Sequence, residues 1–538
     1  MKTLLSVLNP ARRPIDHRYL ALGAMLVVLP MLSLPLVGCS AGSRYKPTGN
    51  PILDVRNPDL LERDRVLAAE QAWAEVVEGV RVRERTRQAF KNLAWSSATP
   101  TELRYTTLDL LMSDTTPEGD ADSARMARLI LPTEDDRQAV RIILQHAIRA
   151  QWDGLLPAIV RSYARVTPGY PDEERMERKA IEALEPGQEL EAVVFGVFLD
   201  PLKGASNREE RSILRVADRT RDDAWGLLAR LDPDGSQRVR LLESNLELST
   251  TDLGTQQTLD DLRACWNDFG ILPDQAMELT WLRQLRHAND DKRAANNTQW
   301  WESARSAVSR LGAEQHDGIE LRHLEPIRWA SINRPEWMNL SSAQLYEVLK
   351  QRLAGRTHIK RKVAKGEPAR NERLHEWKQQ LNWVDILAIL VVDEALQTPD
   401  LIEKIFVQRR LDHKDRKTEY GGIIDTPASS SGSETEQYRA ILFRPRQRDR
   451  VSDERFVASD DMMRFSDRAL AHYHFHANER NNEKYAGPSR ADYINAQSSG
   501  RTSIVLTSIK ADELNVDVYQ PNGVVVDLGL IYEPGSRD

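Results

Sequence analysis

From about Asp59 to Lys350 the chain is patterned for helices. The cap-like run Thr133-Glu134-Asp135-Asp136 precedes Val140, Ile143, Leu144, Ala147 and Ile148 at spacings of three and four, the period that gives a helix one apolar face. Asp153-Gly154 breaks this segment, and Leu155 to Ala164 starts a partner helix. The plan recurs in Asp222 to Leu231, closed by Asp232-Pro233-Asp234-Gly235, in Leu259 to Phe269, closed by Gly270, and in Trp301 to Leu311, closed by Gly312. One-sided helices with short breaks bury their faces against one another. Residues 59–350 are therefore expected to form an all-α array, solenoid-like in outline although no strict repeat period emerges.

The texture changes after 351–378, where Arg356, Lys360, Arg361, Lys362, Arg370 and Arg373 crowd around Gly366 and Pro368. Such a run reads as an exposed basic linker; clustered cations would also suit an anionic surface. Trp383 to Leu396 is predominantly apolar yet too short to span a membrane, which implies a buried helix. Leu401 to Leu411 begins a further element. Strand-like runs follow at Tyr438 to Phe443, Arg455 to Ala458, Ala471 to His476, Thr502 to Thr507, Leu514 to Tyr519 and Gly523 to Leu528. Asp460 to Asp467 reads as a helix, Pro521-Asn522-Gly523 as a hairpin turn, and Thr426 to Thr435 as flexible by composition. Residues 379–538 are thus expected to be α+β with a mixed sheet, in a multidomain chain.

Three of the eleven histidines, His472, His474 and His476, alternate within five positions. A strand there puts all three imidazoles on one face, which suits a metal better than a packed core, although a half-exposed sheet face gives the same pattern. Sixteen residues beyond His476 stands Asp492, in Pro488-Ser489-Arg490-Ala491-Asp492. Two histidines and a carboxylate with a fourth position left to water make a catalytic zinc set.

These residues resemble the motif of the JAB/MPN (JAMM) metallopeptidase family: His-x-His, a spacer, Ser-x-x-Asp, and a glutamate from an earlier strand in a Glu-x-x-Gly setting. The last has its counterpart in Thr418-Glu419-Tyr420-Gly421-Gly422-Ile423-Ile424. The resemblance covers 379–538 only. It implies Zn²⁺ held by ring nitrogens of His474 and His476 and a carboxylate oxygen of Asp492, with Glu419 as general base and Ser489 donating to the oxyanion. His472 then either supports a ligand from behind or displaces His476 in a shifted His472/His474 pair, and Glu479 and Glu483 are the carboxylates that could replace Asp492. Twelve residues lie between His476 and Ser489, a longer spacer than the family's, and Ala477 stands where the family commonly has proline. Lengthening a loop by a few residues costs little closure entropy, so Asp492 can return to the metal.

At the N-terminus Lys2, Arg12, Arg13 and Arg18 precede an apolar run from Tyr19 to Val37, the layout of an export signal. Leu36-Val37-Gly38-Cys39 resembles a bacterial lipobox. It implies a signal peptide over 1–38, acylation of Cys39, and, with Ser40 next, an outer-membrane destination. Residues 39–58, with Gly42, Pro47, Gly49, Pro51 and Pro58, read as a tether. The one other cysteine, Cys265, leaves the exported part without an internal disulfide. A formal net charge of −7 argues against general nucleic-acid binding.

Elsewhere Trp266, Trp281, Trp300 and Trp301 read as core, and Asp232-Asp234-Gly235 as a turn rather than a calcium loop. No HExxH, phosphate-cradling loop or Gly-x-Ser-x-Gly is present. The expected protein is a lipid-anchored zinc metallopeptidase acting on a peptide or isopeptide bond of a protein or peptide substrate. Its helical region would position substrate or bind a protein partner. The alternative is a catalytically inactive envelope scaffold with the same fold.

Overall fold

The computed structural model describes residues 46–166, 169–204, 216–244, 253–359, 371–426, 437–450, 452, 455–479 and 481–536. Cys39, the apolar run before it, and the 360–370 and 427–436 stretches lie outside the described residues.

The one-sided helices meet at alternate positions along the chain. Glu62–Val77 packs on Thr101–Met112, that helix on Arg137–Ala150, and that one on Met176–Leu184. Asp136 starts the third of them: its carboxylate accepts the N–H groups of Gln138 and Ala139 at 2.9 and 3.3 Å, satisfying two of the donors a helix start leaves open. Leu156–Ala164 and Leu190–Leu199 then close on Val216–Leu231, and the chain continues through Ala276–Arg286, Asp291–Val308 and Leu324–Asn333. Beyond Met176–Leu184 this regular alternation of contacts is lost.

Trp281, Trp300 and Trp301 are buried and Trp266 is half-buried. The three buried indoles each donate a hydrogen bond, Trp281 to the Asp467 carbonyl at 2.7 Å, Trp300 to Glu325 and Trp301 to Asp268. Asp232 is spent on the next helix start, accepting the N–H groups of Gln237 and Arg238, which agrees with a turn.

Six strands form one sheet in the order β2-β1-β3-β4-β5-β6 among the described residues. They are β1 (Gly421–Asp425), β2 (Arg439–Phe443), β3 (Ala471–His476), β4 (Ser503–Lys510), β5 (Glu513–Tyr519) and β6 (Val525–Tyr532). Only β3 and β4 run parallel, so the chain between them must cross over the sheet. It does so with the Arg490–Ser499 helix, whose Ala496 packs with Val505, Tyr519 and Val525. The opposite face, with Tyr473, Phe475, Ile504, Leu506, Val516 and Val526, joins the large core shared with the helical array. Trp383–Ala395, nearly all of it buried, belongs to that core, and its buried Asp385 and Asp393 are paired with arginines.

Four expectations need correction. Pro51–Arg56, placed in the tether, is a helix; Val55 is buried and its carbonyl accepts from Arg65 Nε at 2.9 Å. The described flanks of the basic stretch are not free linker, because Arg352 and Arg356 pair with the buried Asp393, and Arg373 with Asp527. Glu372 and Thr357 also lend their carbonyls to β6, to the N–H groups of Asp527 and Leu530. Residues 455–458 are not a strand: Phe456 lies flat on His474, 5.5 Å between ring centroids and 10° between planes, so the segment crosses the sheet's face instead of joining its edge. Glu419 stands in extended chain just before β1 rather than within it.

A buried polar knot joins the array to the sheet layer. Asp385 Oδ1 lies 3.0 Å from Arg322 Nη1 and 3.2 Å from His323 Nε2, and Asp385 Oδ2 accepts from Asn522 Nδ2 at 3.1 Å. His323 Nδ1 accepts the Glu320 N–H, so its Nε2 carries the proton and the ring is neutral. Burial alone would raise the Asp385 pKa; His323 and Arg322 outweigh it and hold the carboxylate below its ordinary range. Replacing it by alanine removes one of the two carboxylates that hold the buried Arg322, Glu320 remaining 2.8 Å from its Nε, and takes the partner from His323 Nε2, a loss of about 1–3 kcal/mol. Asp385→Ala should therefore lower the urea midpoint far more than an exposed control such as Asp400→Ala.

Candidate metal centre

Strand alternation decides which way the histidines face. Tyr473 and Phe475 enter the core, and Tyr473 hydrogen-bonds Gln408 beneath the sheet. His472, His474 and His476 must then project from the other face. Only two of them meet a partner set. The side chains of Glu419, His474 and His476 offer ligand atoms all within 4.8 Å of one another.

Asp492 completes the group. His474 Nε2 lies 3.3 Å from His476 Nε2 and 3.4 Å from Asp492 Oδ1, while His476 Nε2 stands 3.8 Å from Asp492 Oδ2. A tetrahedral zinc with bonds of 2.0–2.1 Å sets its donors about 3.3–3.4 Å apart. The two spacings to His474 Nε2, 3.3 and 3.4 Å, match those values, and the third, from His476 Nε2 to Asp492 Oδ2, is longer at 3.8 Å.

The support of each donor follows from local chain chemistry. His476 Nδ1 donates to the Tyr485 carbonyl at 2.8 Å, leaving the Nε2 lone pair for a ligand; such an outer bond orients a metal-binding imidazole. The long spacer supplies that carbonyl. Buried Asn482 folds it back by donating to the His476 and Glu479 carbonyls at 3.2 and 2.8 Å. Asp492 is held by a reciprocal cap: its Oδ2 accepts the Ser489 N–H at 2.7 Å, and Ser489 Oγ accepts the Asp492 N–H at 3.3 Å. The Ser489 hydroxyl proton remains to be given elsewhere.

The charges are mutually supporting. Burial presses His474 toward its neutral form, and Asp492, with Glu419 and Asp412 behind it, more than reverses this and raises its pKa. For Asp492, burial acts upward, but His474 and His476 hold it well below the usual carboxylate range. Glu419 and Ser489 open with these residues onto a cavity of about 670 Å³.

His472 is not part of the cluster. It is buried, opposite Ser503 in the β3–β4 register, and its Nε2 has no hydrogen-bond partner. Burial, helped by Arg501, pushes its pKa well below the ordinary value. A shifted His472/His474 pair is thus not the arrangement formed. Among the described residues neither Glu479 nor Glu483 enters a ligand cluster with these histidines. Cys39 lies outside the described residues.

Phe456, Asn482 and Tyr485 were absent from the sequence reading. For Phe456 a signal existed in Gly421-Gly422, since glycine inside a strand marks close approach. A Cβ on Gly421 would stand 2.5 Å from Phe456 Cε2 and from the Tyr473 carbonyl oxygen. Compared with family models, with curated proteins and with solved structures, the chain matches none.

Gly421→Ala must push Phe456 off His474 or bend β3. Such overpacking should cost about 1–3 kcal/mol, measurable as a drop in thermal midpoint in the presence of a chelator.

Proposed function

We propose that this chain is a zinc-dependent hydrolase of a peptide or isopeptide bond, anchored in the cell envelope through lipid on Cys39. Its 379–538 part resembles the JAB/MPN metallopeptidases in the motif residues already given. The observation that carries the reading is the spacing of the ring nitrogens of His474 and His476 and the carboxylate of Asp492, at 3.3 to 3.8 Å, beside Glu419. Zinc bound there supplies Lewis acidity, which brings the pKa of a water from about 16 to about 7.

The protein's own groups account for the proton traffic. Glu419, within reach of the histidine pair, takes the proton of the attacking water and passes it to the departing amine. Ser489, its oxygen already fixed by the Asp492 N–H, donates its hydroxyl proton as a hydrogen bond to the carbonyl oxygen while that atom gains charge. Tyr485 and Asn482 keep His476 oriented. The helical array contributes Met277 to the cavity wall, which supports a role for that region in positioning substrate.

An inert scaffold would gain nothing from a glutamate beside a preoriented ligand set. Glu419→Gln should keep zinc and the thermal midpoint while lowering hydrolysis of a mixed peptide library by about 10²–10⁴-fold. Equal turnover in parent and variant would exclude Glu419 as the base. A zinc-loaded parent with no turnover, and an unchanged partner-binding phenotype in the variant, would favour the scaffold.

A further inference from the structure

One wall of the cavity takes no part in hydrolysis as described. Residues 455–458 cross the histidine face of the sheet, held by Phe456, whose ring is pressed between His474 and the bare backbone of Gly421. This clamp fixes its neighbours. Arg455, Val457 and Ala458 line the cavity together with Met463 and, from the helical array, Met277. The wall is apolar with a single cation at its end.

Arg455 is exposed, and no described carboxylate pairs with it. Two other arginines nearby in the chain are paired, Arg450 with Asp415 and Arg446 with Asp460. Among the lining residues it is the only arginine or lysine, and the two carboxylates there, Glu419 and Asp492, belong to the histidine cluster. Its backbone is one residue, about 3.8 Å, from Phe456, which touches His474. Arg455 and the histidine cluster line the same cavity, and an extended peptide lying in it advances about 3.3–3.6 Å per residue, so a chain held at the cluster passes within a few residues of Arg455.

We propose that Arg455 is a specificity residue: it recognises a carboxylate carried by the peptide within two residues of the bond that is cleaved. The apolar wall receives the chain between them. The planar fork of a guanidinium pairs with a carboxylate through two parallel hydrogen bonds, and an arginine without a partner has that capacity to offer. The proposal rests on the hydrolytic reading for the identity of the bond, and on Arg455 alone for the acidic preference.

The test uses the full chain, loaded with zinc, on capped peptides that differ only in Glu, Gln or Lys at each position within two of the cleavage point. The parent should prefer Glu over Gln by about three- to tenfold in kcat/KM, mainly through KM. Arg455→Glu should lose the preference for Glu and prefer Lys, with the thermal midpoint unchanged because the exposed arginine has no described partner to lose. Binding of the same peptides to Glu419→Gln, read by calorimetry with and without Arg455→Ala, needs no turnover and should show the same preference, lost with the arginine. Hydrolysis with equal kcat/KM for Glu and Gln at every position would overturn the proposal and leave the hydrolase reading standing. Acid-selective, Arg455-dependent binding without hydrolysis of any peptide would uphold the subsite and overturn the hydrolase reading.

Discussion

The packing of Tyr473 and Phe475 beneath the sheet is the constraint from which the site follows. Both rings are buried in the core shared with the helical array, and a strand side chain has only two faces to choose between. Driving these two aromatics inward turns His472, His474 and His476 outward together. A slip of one residue would bury three imidazoles and expose two aromatic rings, so the hydrophobic effect and the chemistry of the site demand the same register. The parallel β3–β4 pairing adds the second half, because its crossover returns the chain over that face and brings Asp492 with it.

The helical array braces the entry to β3. Asp467, just ahead of the strand, offers its carbonyl to Trp281 and its carboxylate to Asn297 at 2.7 Å and to Arg293 at 2.9 Å. Arg501, at the start of β4, lies 3.8 Å over the Trp281 ring and bonds the Ser466 carbonyl. Charged-group hydrogen bonds of this kind contribute about 1.5–3 kcal/mol each. The array and the sheet thus share one core and one polar seam. This is why 351–378 does not behave as a free linker on its described flanks.

Much of this was legible in the sequence because it is written in period. The helical segments, the buried Trp383–Ala395 helix, and five of the six strand-like runs correspond to elements found. His474, His476, Asp492, Glu419 and Ser489 were named from the motif likeness, and the fold gathers them around one cavity. The misses arise where tertiary contacts override local pattern. Arg455 to Ala458 is a short, mostly apolar run like a strand, but the ring of Phe456 finds His474 and the gap left by Gly421. Pro51–Arg56 looks like tether by its prolines, yet Asn50 caps it and Val55 buries. The work of Asn482 and the Tyr485 carbonyl had no sequence signal, since a backbone acceptor can come from any residue type.

The ion itself is the central claim, and elemental analysis of the purified full chain tests it most directly. The account predicts about one zinc per chain, lost in both His474→Ala and Asp492→Ala while His472→Ala retains it. A well-folded parent that holds no zinc after reconstitution, or one whose zinc survives the loss of either His474 or Asp492, would contradict it.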